Sequence, residues 1–101
     1  LELLMTADMI NAEEALQLGL VNYVTAPDAL LGKCMEMATK ISLQAPLAVA
    51  GIIRSVNAFY EKDVDSYNTE ITEFGKCFIT EDFTEGTTAF LEKRKANFKG
   101  K

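Results

Sequence analysis

Between residues 30 and 41, apolar side chains return at Leu30, Cys34, Met37 and Ile41, spacings of four, three and four that mark one face of a helix. Pro46 ends that helix and is suited to open the next. The next stretch, residues 47–60, is apolar over a wide arc: Leu47, Val49, Ile52, Ile53, Val56, Phe59 and Tyr60. A stripe that broad predicts burial on two sides. A third long helix carries Tyr67, Ile71, Phe74 and Phe78, with Asp63 or Asp65 as its cap. Thr80 caps a last helix lined by Phe83, Gly86 or Thr87, and Phe90, before Asn97-Phe98. Towards the N-terminus, Leu1–Met5 reads as the end of an amphipathic helix. Asn11 and Glu14 then form a capping box for a short helix that stops at Gly19. Leu20-Val21-Asn22-Tyr23-Val24 favours a short strand. After the opening turn, the pattern predicts five helices and one short strand near residues 20–24, a mainly α chain.

Three long amphipathic helices among 101 residues bury little against one another. The wide apolar arc at 47–60 is therefore expected to be covered by something outside the chain. A chain that starts at Leu1, in mid-helix, is expected to be a piece of a longer protein. No apolar run approaches the roughly 20 residues that span a bilayer, and no basic start with an apolar run suggests a signal peptide. A membrane is not an expected partner.

Charge and residue usage narrow the chemistry. The chain has no histidine, which removes His-based triads, most zinc sites and a histidine general base within these residues. No metal ligands are expected. Cys34 and Cys77, far apart and at apolar-periodic positions, read as reduced core thiols. Residues 93–101 hold Lys93, Arg94, Lys95, Lys99 and Lys101, five of the ten basic residues, with no acid among them. The remaining five basic residues face all fifteen acidic ones, a balance that argues against nucleic-acid binding. The basic end either complements a helix C-terminus or attracts a phosphate-bearing ligand. The aromatic stripes are read as core or subunit contacts.

Three segments, in order, resemble the enoyl-CoA hydratase/isomerase (crotonase) family. The first runs Thr6-Ala7-Asp8-Met9-Ile10-Asn11-Ala12-Glu13-Glu14-Ala15 and on through Leu18-Gly19-Leu20-Val21-Asn22. It is similar to the family stretch in which a Thr-Gly turn and a capped helix lead to Gly-Leu-Val. The second, Ala45-Pro46-Leu47-Ala48-Val49 through Val56-Asn57, resembles the family's Pro-Leu-Ala-Val helix. The third is Thr80-Glu81-Asp82-Phe83-Thr84-Glu85-Gly86, then Ala89-Phe90-Leu91-Glu92-Lys93-Arg94-Lys95 and Phe98, similar to the family's terminal signature. Two positions depart from the pattern. Ala7 stands where Gly is usual, so that turn is expected to adjust, and Ile53 stands where Lys is common.

The resemblance implies the C-terminal helical segment of the α/β crotonase fold. Residues 1–25 would be the tail end of its α/β core and 26–101 a helical oligomerisation domain. In such enzymes two backbone N–H groups hold the thioester carbonyl oxygen and, in the hydratases, two glutamates move protons. The resemblance places all of these upstream of Thr6, so no catalytic residue is expected here. Glu13 and Glu14 are assigned to the capping box, and Glu85 and Glu92 to the terminal signature. Phe90 and Lys93 match positions near the adenine and phosphate end of CoA bound to a neighbouring subunit, and are the expected substrate-binding residues. The alternative is that Phe90 is core and Lys93 merely solvated.

The implied parent is an enoyl-CoA hydratase that adds water to a 2-enoyl-CoA, with no cofactor beyond the CoA of the substrate. Alternatives are enoyl-CoA isomerisation, retro-aldol cleavage or acyl-CoA hydrolysis, or a purely structural helical self-association module. The implied partners are an acyl-CoA thioester and copies of the same chain, as a trimer or hexamer. The expected compartment is the cytoplasm, or the mitochondrial matrix in a eukaryote.

Overall fold

The computed structural model describes residues 1–101 and is built from helices alone: α1 Glu2–Thr6, α2 Ala12–Gln17, α3 Leu30–Ser42, α4 Pro46–Ala58, α5 Ser66–Cys77 and α6 Glu81–Leu91, with a single 3₁₀ turn at Pro27–Ala29 before α3. By its internal contacts the chain divides into two compact units, Leu1–Met35 and Glu36–Lys101. No helix is long and apolar enough to cross a membrane.

In the first unit, local chemistry sets the helix ends. The Asn11 side chain accepts from the Glu14 N–H, and the Glu14 carboxylate accepts from the Asn11 N–H, both at 2.9 Å. This closes the capping box that the sequence predicts. Gly19, at φ +71°, turns the chain after α2, and Leu20 N–H closes back on the Ala15 carbonyl at 2.9 Å. Ala7 holds the same left-handed conformation, φ 56°, after α1. The turn expected to adjust keeps the geometry glycine favours, and Ala7 carries the strain of its Cβ.

Residues 20–26 are not a strand. The apolar, β-branched composition that predicted one is present, but a strand exists only as part of a ladder. No neighbouring strand is available here, because every other element is helical. Tyr23 instead lies beneath the Lys33 ammonium, 4.5 Å from its ring centroid.

In the second unit Pro46 occupies the first turn of α4, Asp65 caps α5 and Thr80 caps α6. Of the two candidate caps for α5, Asp65 accepts from the Asn68 N–H at 3.0 Å, while Asp63 takes a left-handed turn position at φ 62°. α4 and α5 make the principal helix–helix contact. Their interface buries Gly51, Ala58 and the carboxylate of Glu73.

Little else is buried. The chain exposes 8645 Å². Two compact globules of these unit sizes would expose only about 6,800 Å². The excess is largely apolar: Ile52, Ile53, Val56, Phe59, Tyr67, Ile71 and Phe74 all stand open. Neither cysteine is a core thiol. Both are unpaired, but Cys34 is exposed and Cys77 is half-buried. Cys77 stands one turn after the buried Glu73, to whose carbonyl its thiol donates at 3.5 Å, whereas Cys34 stands open.

Candidate functional site

Phe90 and Lys93 fall in and just after the last turn of α6. That helix ends in a double closure: Lys93 N–H donates to the Phe90 carbonyl at 3.3 Å, and Arg94 N–H to the Ala89 carbonyl at 3.0 Å. The closure requires a left-handed residue, and Lys93 supplies it at φ 54°, where glycine is the usual occupant. Ala89 points inward and is 2% exposed, whereas Phe90 is 82% exposed. Phe90 is therefore not a core residue. The Lys93 side chain is exposed and joins none of the ion pairs of the tail.

Arg94 is fully engaged. Its guanidinium forms a two-pronged pair with Glu85, Nη1 to Oε1 at 2.7 Å and Nη2 to Oε2 at 2.9 Å. Its Nε donates to Glu92 Oε2 at 2.6 Å, and Nη1 also donates to the Lys95 carbonyl at 3.2 Å. Glu85 Oε1 accepts the Asn97 N–H at 2.7 Å as well. The Arg94 guanidinium first, and the Asn97 N–H second, hold the Glu85 carboxyl down at about 2. Glu85 and Glu92 raise Arg94 in turn. Two carboxylates of the terminal signature are thus tied to Arg94.

The tail folds back over α6. Asp82, 3% exposed, accepts the N–H of Lys99 at 2.6 Å and that of Gly100 at 2.8 Å. Phe98 lies against Gly86, where an added Cβ would stand 3.2 Å from the ring. Gly100, at φ +74°, brings the backbone close to Pro46. The Glu-Gly…Phe pattern is therefore a clamp: glycine admits the ring, and the acids on α6 hold the returning backbone. Sequence reasoning missed Asp82. The available signal was Gly86, a helix-interior glycine whose cost of about 1 kcal/mol argues for a close approach.

A second cluster lies between α4 and α5. Glu73 Oε2 accepts from Arg54 Nε at 2.9 Å and from its Nη2, and Oε1 accepts from Lys76 Nζ at 2.7 Å. These partners, Arg54 first and Lys76 next, lower the Glu73 carboxyl to about 2. Glu73 lines a groove of about 640 Å³ with Ile52, Val56, Phe59, Tyr67 and Phe74. A carboxylate held between two cations is a poor proton carrier near neutrality. No group of His, Cys, Asp and Glu residues is arranged to hold a metal ion.

The family model for enoyl-CoA hydratase/isomerase matches residues 1–101, and the chain belongs to that family. It is 47% identical over 98 residues to the crotonyl-CoA hydratase of Syntrophomonas wolfei, covering 96% of this chain and 38% of that protein. It is 43% identical over 95 residues to the short-chain-enoyl-CoA hydratase of Clostridium acetobutylicum, covering 93% of this chain and 36% of that one. Among solved structures, enoyl-CoA hydratase EchA1 from Mycobacterium marinum superposes with a TM-score of 0.87 at 34% identity, over 99% of this chain and 40% of its own. The chain thus spans under two fifths of the length of these curated relatives.

Proposed function

We propose that this chain is the C-terminal part of an enoyl-CoA hydratase, which adds water across the double bond of a short 2-enoyl-CoA. Its own contributions are a surface for assembly with copies of itself and a shelf for the nucleotide end of CoA. The observation that carries the shelf is the pairing, at the end of α6, of an exposed aromatic ring with a lysine free of ion pairs. Phe90 offers an apolar face to adenine, and the Lys93 ammonium is a point charge for the 3′-phosphate. The similarity to two named short-chain hydratases favours hydration over isomerisation, retro-aldol cleavage or thioester hydrolysis.

The open α4–α5 groove supports the assembly role, since an apolar surface of this extent is normally covered. On this reading residues 1–25 close the catalytic core and 26–101 form the assembly domain. The proton-transfer groups belong to the longer protein. The test is hydration of crotonyl-CoA, followed by loss of the enoyl absorbance. The full-length protein is expected to turn the substrate over, and residues 1–101 alone to match buffer. A full-length protein that leaves crotonyl-CoA untouched would overturn the hydratase reading.

A further inference from the structure

Lys93 sits between two residues tied to each other. Glu92 on one side and Arg94 on the other are joined by the 2.6 Å ion pair, and Arg94 is fixed in addition to Glu85, nine residues earlier, on α6. The Arg94 backbone N–H closes the turn onto Ala89. The single residue between these anchors has its backbone set in the left-handed region and its side chain exposed. The same guanidinium pairs with Glu92, the residue before Lys93, and with Glu85. Left unpaired, both carboxylates would oppose an approaching phosphate.

We propose that Arg94 is a positioning residue that holds Lys93 outward and neutralises the acids beside it, so that a lysine at an otherwise acid-flanked helix end can receive a phosphate. This rests on the assignment of Lys93 to the CoA phosphate. Two effects combine. A helix C-terminus carries partial negative charge and disfavours an anion, so the site depends on local cations. A flexible lysine gains from a fixed backbone, because less freedom is lost when it meets its ligand. A lysine at position 94 would keep the charge but lose the fork that spans Glu85.

The test uses the full-length protein and two substrates, crotonyl-CoA and its 3′-dephospho analogue. The reading is the ratio of the two KM values, which reports recognition of the phosphate alone. Lys93→Gly is expected to abolish a wild-type preference of about five-fold. Arg94→Lys is expected to reduce that preference about two-fold or more, with kcat unchanged on both substrates. Arg94→Gln, which leaves the charges of Glu85 and Glu92 uncompensated, provides a second route should Arg94→Lys fold poorly, and is expected to reduce the preference further. A preference that survives both variants, while Lys93→Gly abolishes it, would make Arg94 a brace for the tail and overturn the positioning role. A preference that Lys93→Gly leaves intact would overturn the phosphate assignment itself, and the positioning role with it.

Discussion

The α4–α5 pair and the α6–tail unit use the same materials to opposite ends. Between α4 and α5 the polar groups are satisfied internally, around Glu73, while the apolar residues face outward into an open groove. Around α6 the polar groups reach across the chain: Asp82 holds Lys99 and Gly100, and Glu85 holds Arg94 and Asn97. The apolar contact there, Phe98 on Gly86, is closed within the unit. One region closes its tail onto its own helix, although Phe90 and Leu91 stay exposed, and the other leaves its apolar groove open. A family signature that looks like a site, Glu-Gly followed by Glu-Lys-Arg, proves to be mostly a fastening. Phe90, Leu91, Lys93 and Lys95 are left over from it with exposed side chains.

The clamp on α6 is most sensitive at Gly86. Gly86→Val sets a branched side chain where even a Cβ lies 3.2 Å from the Phe98 ring. The expected loss is about 3 kcal/mol, read from the urea midpoint, with cleavage by protease after residue 94. Gly75, also inside a helix, has nothing within 4 Å of such a Cβ. Gly75→Ala is expected instead to raise the stability of this chain by about 1 kcal/mol.

Asp82→Ala leaves two backbone N–H groups of the tail without their acceptor and is expected to cost about 2 kcal/mol. Hydrogen exchange at Lys99 and Gly100 would report it directly. The acid response is gentler. Glu73 and Glu85 both titrate at about 2, below the ordinary 4.5, because the folded chain favours their charged forms. Their stabilisation is therefore present in full above pH 4.5 and is lost as the pH falls through about 2. Glu85→Gln should make that acid decline shallower in a pH series of melting curves.

The smallest effect belongs to the open region. Ile52 is 64% exposed, so Ile52→Gln should change the stability of residues 1–101 by no more than about 0.5 kcal/mol. In the full-length protein the same change should weaken subunit association, measured by sedimentation. An unchanged association constant there would count against the α4–α5 face as an assembly surface.

How much of this was legible in the sequence follows from the range of the interactions. Caps and stops were readable because their partners lie within four residues: Asn11 with Glu14, Thr80 with Phe83, Gly19 after α2. The helix faces were readable from periodicity, and so was their lack of cover. The strand at 20–24 and the core thiols were misread because both depend on neighbours that composition cannot supply. The clamp was not legible because Asp82 and Lys99 are seventeen residues apart and the tail has no period. Phe90 and Lys93 were named from the resemblance, which does not say that Lys93 takes a left-handed backbone.

That backbone makes possible a measurement in which fold and function move in opposite directions. Lys93→Gly relieves a conformation that disfavours side chains and should stabilise the full-length protein by about 1 kcal/mol. It also removes the proposed phosphate cation. The predicted result is a higher melting temperature, a KM for crotonyl-CoA raised about five-fold at low salt and less at high salt, and kcat nearly unchanged. A more stable enzyme with the wild-type KM would contradict the account, and would leave Lys93 as nothing more than an exposed residue after a helix.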